Sequence, residues 1–302
     1  MLNPRFGSGY TQHARILPGM HQECATTLQP GLVDNQRVPF TLAHAAAALP
    51  FRRLRLVPSA LIVGTFAPDC EYFVRLGPSG GYGHTAAGAF LLSLPLGLAV
   101  LFLFHALVKA PAVALLPECL QDRLPLDRFR IGGGSRFALI LGSLMLGIAT
   151  HVGWDNFTHR NLWLYWHWPL LQQSVHVAGI GSIPIYKGLQ HLSTAAGLLI
   201  LMFWCRHWYK STAPFRQAYL RRLTHSRKLA ISGAILAIAT GFSVARAAYG
   251  AQTPYEGHVL RTFAGEAICT FVAACWWQLV VLGLIQTRWK TTEAPGAHPQ
   301  QN

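Results

Sequence analysis

Charge is scarce in this chain of 302 residues: 12% are Asp, Glu, Lys or Arg, against 52% hydrophobic. A soluble domain carries about twice that share of charge. The shortage excludes an ordinary water-covered globule and points to a membrane protein. Acids are scarcest, with eleven Asp and Glu against 25 Lys and Arg and a net charge of +14. That excess could serve nucleic acid, but the basic residues are spread over loops between apolar segments and form no contiguous recognition element. No nucleic-acid partner is expected.

Paired cysteines are also missing. The six (Cys24, Cys70, Cys119, Cys205, Cys269, Cys275) contain no C-x-x-C pair, and three lie inside apolar runs. A disulfide framework and a thiolate zinc site are therefore not indicated, and the cysteines read as small apolar fillers. Residues 1–37 have no apolar core, so they read as a polar tail rather than a signal peptide, and we expect the tail to be dispensable for insertion. No repeat of about 20 to 50 residues is visible. "GGGS" at Gly132–Ser135 follows no strand and reads as a turn, not a phosphate loop.

What the chain does have is apolar length. Five stretches can cross a hydrocarbon core of roughly 30 Å: Ala86–Val108, Phe137–Trp154, Leu192–Trp208, Leu229–Tyr249 and Phe263–Ile285. Two shorter pieces, Thr41–Leu49 and Leu56–Pro68, flank "FRRLR" and read as interfacial or re-entrant helices. The expected fold class is thus all-α, a polytopic helical membrane protein with about five transmembrane helices. A single membrane domain covers residues 38–290, followed by a polar tail at 291–302.

Lys and Arg number five between Lys109 and Arg136, seven between Arg206 and Lys228, and two after the last span. The alternate links, Asp155 to Gln190 and Arg246 to Arg261, hold two each. The positive-inside rule places these poorer links outside the cytoplasm, although seven basic residues before the first span argue the other way.

Span parity puts the ligand-type residues on that same face. His151 and Asp155 end the second span in "HVGWD", His191 begins the third, and His84 precedes the first. His151, Asp155 and His159 recur every four residues, a spacing that stacks side chains on one helical face. Asp69 in "APDCEYF" follows the second short apolar piece, and His44 in "FTLAHAAAAL" sits within the first. Each residue alone has an ordinary reading as an interfacial histidine or a helix cap. Carboxylates beside membrane segments, however, are costly and usually have a partner or a task. Imidazole with carboxylate suits zinc or a similar divalent ion. The aromatic run Trp163, Tyr165, Trp166 and Trp168 has the composition of an interfacial belt or of a wall facing lipid.

The order "PFTLAH", "LIVGTFAPDCEYF", "GHTAAG" and "HVGWD", between Val38 and Thr212, resembles a family of bacterial membrane proteins known as domain of unknown function 4184. More distantly it is similar to membrane-bound metal-dependent hydrolases and to the zinc-dependent phospholipase C and nuclease superfamily. The resemblance implies a multi-pass protein of a bacterial inner membrane, and the charge count and span parity place the expected site on the extracytoplasmic face. The resemblance would make His44, Asp69, His84, His151 and Asp155 metal ligands, with His159 and His191 as further candidates. The sequence departs from the phospholipase pattern at H-x-x-x-E, since His191 is followed by Ala195.

The leading expectation is a membrane-embedded hydrolase of lipid or lipid-linked phosphoesters, with Asp69 and Asp155 as catalytic groups and Arg160 as a phosphate contact. The alternative is a non-enzymatic membrane protein whose His/Asp cluster holds a structural metal or is hydrogen-bonded. A transporter is a third reading, resting on Glu266 and Pro95 inside spans. Glu266 either replaces the carboxylate absent at Ala195 or pairs with Arg246 or Arg261.

Overall fold

The computed structural model describes residues 41–292, except 78–80, 127–128, 161, 180, 216–221 and 253–258. The tail expected at 1–37 lies outside the described residues, as does the C-terminal tail from residue 293. Five helices are long and apolar enough to cross a membrane: Ala86–Leu115, Gly134–Thr158, Ile185–Ser211, His225–Gly250 and Val259–Thr287. The chain is a multi-pass helical membrane protein. Each helix outruns its apolar stretch, because hydrogen bonding continues after hydrophobicity stops. The fifth continues to Thr292.

The first span carries two wide π turns, at Ala89–Ser93 and Phe104–Val108. Each lies shortly before a proline, Pro95 or Pro111. A proline ring removes a donor and crowds the carbonyl four residues back, and widening the preceding turn relieves that conflict.

The short apolar pieces are not alike. Thr41–Arg53 forms a 3₁₀ helix running through Pro50 and "FRR", and it packs on the third span, where a Cβ at Gly197 would stand 2.9 Å from the Ala43 carbonyl oxygen. Pro58–Gly64 is an α-helix buried against the first and second spans, with Ala60, Leu61 and Val63 in the core. Val57, Ala60, Val63, Leu101, Ile140 and Leu144 form one apolar cluster, and Ala67, Ala89 and Ile148 form a second, one turn below His151. The Val57 N–H donates to Ser143 Oγ at 3.0 Å, so the start of the inserted helix is not left unsatisfied.

The fourth and fifth spans pack along each other, joined by Ser243 Oγ donating to the Ala267 carbonyl at 2.6 Å. Between the second and third spans lie two short helices, Trp163–His167 and Pro169–Gln172, and an antiparallel hairpin, β1 (Ser174–Val177) with β2 (Gly181–Pro184). The hairpin is an addition to the all-α expectation. Its signal is the alternating "SVHV" followed by Gly179 and Gly181, both at positive φ.

At the other end, the first-to-second and third-to-fourth links are tied together. Arg222 donates to Glu118 at 3.1 Å and to Asp122 at 2.6 Å, and Arg123 Nε donates to the Thr212 carbonyl at 3.0 Å. The two most basic links therefore share a face, as parity requires. In a cysteine-free background, Ser182→Cys and Ser211→Cys are expected to react with an impermeant thiol reagent from opposite sides. The 27-residue third helix between them is roughly 40 Å long. Labelling of both from one side would remove that span.

Candidate metal centre

Four separate segments bring five of the proposed residues together. Asp69 ends a buried 3₁₀ turn, Ala67–Asp69, that follows the inserted helix. His84 ends the turn Tyr82–His84, which is clamped from both sides: Ser93 Oγ donates to the Gly83 carbonyl at 3.0 Å, and Thr85 Oγ1 caps Gly88 N at 2.9 Å. Gly88 has to be glycine, because a Cβ there would run into the Tyr82 carbonyl. His151 and Asp155 lie one turn apart near the end of the second span. His44 comes from the 3₁₀ helix, and its ring stacks on His151 with centroids 4.0 Å apart.

The separations are short and even. His84 Nε2 is 3.2 Å from His151 Nε2, 3.3 Å from Asp69 Oδ1 and 3.3 Å from Asp155 Oδ2. His151 Nε2 is 3.6 Å from Asp69 Oδ1 and 3.3 Å from Asp155 Oδ2. Ligands of a tetrahedral zinc at about 2.0–2.1 Å stand about 3.3 Å from one another. The two triangles that share the His84–His151 edge, one closed by Asp69 and one by Asp155, therefore have edges of the size such an ion needs.

The ring orientation agrees. His151 Nδ1 lies 2.8 Å from the Thr65 carbonyl oxygen, which can only accept. Nδ1 thus carries a proton, and Nε2 is the ring nitrogen turned toward the cluster, the orientation of a metal-binding imidazole with its outer partner. Burial, with His151 alongside, pushes His44 down to about 4, so its ring is neutral at neutral pH. Burial by itself would raise the Asp69 carboxyl, but the facing His151 and the His84 hydrogen bond outweigh it and hold the group below the usual carboxylate range. Asp155 is buried, and its Oδ1 accepts no hydrogen bond among the described residues, standing 3.5 Å from His44 Nε2 and 3.6 Å from His159 Nδ1. Two groups, His44 with His151 and Asp155, and Asp69 with His84 and His151, could hold a metal ion.

The remaining expected residues fall elsewhere. His159 belongs to neither group; its Nε2 meets Gln190 Nε2 at 3.3 Å, which leaves Nδ1–H turned toward Thr158 and Asp155. His191 is exposed and lines the adjoining cavity without joining the ligand groups. Arg160 does not line that cavity. Glu266 is buried beside Arg246, 3.4 Å away, and next to Gly250, outside the ligand groups. The sequence reading missed the Thr65 carbonyl, a backbone atom with no side-chain signal. It also missed Gln190, one position before the histidine it singled out.

Fold and site together define a multi-pass helical membrane protein with a buried His/Asp cluster able to hold a metal ion. The chain belongs to the family described as Domain of unknown function (DUF4184), whose model matches residues 38–284. That match continues past Thr212 through the fourth span and most of the fifth. No curated protein and no solved structure matches the chain.

Proposed function

We propose that the protein is a membrane-embedded metal-dependent hydrolase of phosphoesters, acting on lipid or lipid-linked substrates at the bilayer boundary. The observation that carries this reading is the pair of triangles that His84 and His151 form with Asp69 and with Asp155, each with edges of the length found between zinc ligands, beside a cavity of about 1090 Å³ that Asp69 and Asp155 help to line. When bound, a divalent ion supplies Lewis-acid chemistry toward a phosphoryl oxygen and a water. His84, His151, Asp69 and Asp155 would hold it. His44 stacks on His151 and restricts its ring. Asp155 Oδ1, turned away from the triangles toward His44 and His159, is the carboxylate atom available to orient a water in the cavity.

The low count of basic residues in the links on the cluster's side supports an extracytoplasmic site in a bacterial inner membrane. The test is elemental analysis of protein purified in detergent, followed by chelation, zinc restoration and assay on a generic phosphodiester. Activity that disappears with the metal and returns with zinc is the expected result; a protein that never contains metal would end the proposal.

A second reading, a structural metal without catalysis, is favoured by Ala195 in place of a carboxylate and by Glu266 lying against Arg246. Bound metal with no hydrolysis of soluble or lipid phosphoesters would decide for it.

A further inference from the structure

Among the described residues, two Lys/Arg side chains line the cavity beside the cluster, Lys187 and Arg261, and they come from different helices. Lys187 is in the first turn of the third span and Arg261 in the first turn of the fifth. Lysine and arginine are costly beside apolar segments. Here both are half-buried rather than turned out to water.

Lys187 is held toward the cluster. Its Nζ donates to Gln190 Oε1 at 3.1 Å, and Gln190 Nε2 approaches His159 Nε2 at 3.3 Å, with His159 in turn facing Asp155. The cation thus sits two side chains away from the carboxylate that borders both ligand groups. The third helix also directs its positive end at this region. Part of the wall is apolar: Leu192 and Ile200 line the cavity and are 70% and 51% exposed. The cavity therefore combines charged groups with apolar surface suited to acyl chains. Trp154 also lines the cavity, its Nε1 donating to Ser193 Oγ at 3.1 Å.

We propose that Lys187 and Arg261 form an anion subsite for a phosphate-type head group, with the apolar wall taking the chain of an amphiphile. The assignment deepens the hydrolase reading and rests on it for its catalytic meaning, but the binding itself needs only these side chains. Arginine and lysine both donate to phosphate oxygens, and such charged hydrogen bonds are the stronger ones.

The experiment is titration of the full chain in dodecyl maltoside with oleoyl lysophosphatidic acid, monooleoylglycerol and inorganic phosphate. Each is run on zinc-loaded and on chelator-treated protein. Lys187→Gln and Arg261→Gln are each expected to weaken lysophosphatidic acid roughly tenfold in both forms and to leave monooleoylglycerol unchanged. Arg206→Gln, an exposed charge near the far end of the third span, should change neither. Inorganic phosphate binding as tightly as the lysolipid would assign the subsite to a soluble anion. Equal binding by all variants, or equal weakening in Arg206→Gln, overturns the proposal. Zinc content is read in the same samples, so failure of the metal reading is seen separately from failure of the subsite.

Discussion

Replacing Asp155 with asparagine is expected to leave the purified protein with almost no bound zinc, while Glu266→Gln retains the wild-type content. Asp155 meets His84 and His151 through Oδ2 at 3.3 Å each, and His44 and His159 through Oδ1. Asparagine keeps the shape but removes the charge and can replace the ligand oxygen with an amide nitrogen, which does not bind zinc. Changing an outer partner of a metal ligand typically costs 10- to 100-fold in affinity, so loss of a ligand should cost about a hundredfold or more. Glu266 differs in place rather than in kind. It is as buried as Asp155, but it lies against Arg246 and near Gly77 and Gly250, so its neutralisation disturbs that pair and not the ligand set. Elemental analysis with size-exclusion profiles separates metal loss from unfolding. Full zinc in Asp155→Asn would show that Asp155 is not a ligand of the metal; loss in both variants would make Glu266 the carboxylate that Ala195 lacks.

The parts of this site that the sequence revealed are those governed by helical periodicity or by cost. His151 and Asp155 share a face because they are four apart, and Asp69 stands out because a carboxylate next to an apolar run is expensive. Periodicity says nothing about residues that meet across loops. The expected third span began at Leu192, whereas the helix begins at Ile185. That earlier start puts Lys187 and Gln190 on helical turns beside the cavity, in a stretch otherwise read as a loop. Arg160 drew notice for being adjacent to His159, but the second span ends at Thr158, so the helical spacing stops there. The hairpin was hidden because four-residue strands among aromatic and apolar neighbours do not stand out from an interfacial link. Charge counting, by contrast, identified the two basic links that Arg222 and Arg123 join.

Gly147→Ala is expected to damage both the fold and the metal site, though it adds only a methyl group at a position several residues from any ligand atom. The inserted helix Pro58–Gly64 crosses the second span at Gly64 and Gly147, backbone against backbone. A Cβ on Gly147 would run into the Leu61 carbonyl and stand 2.8 Å from Gly64 Cα, and a Cβ on Gly64 would run into the Leu144 carbonyl. No side-chain rotation relieves such a clash, so the helices must separate. Overpacking of this kind costs about 1–3 kcal/mol. The residue after Gly64 is Thr65, whose carbonyl holds His151 Nδ1–H at 2.8 Å. Displacement of the inserted helix should therefore release the ring orientation that aims His151 Nε2 at the cluster. Gly142 lies on the same span with open space around its position. Gly142→Ala should keep the wild-type melting temperature or raise it, since alanine is the better helix former. A lower melting temperature together with faster zinc loss to a chelator, in Gly147→Ala but not Gly142→Ala, is the predicted pair of results. Equal behaviour of the two variants would mean that the helices do not cross at that distance and that the orientation of His151 has another source.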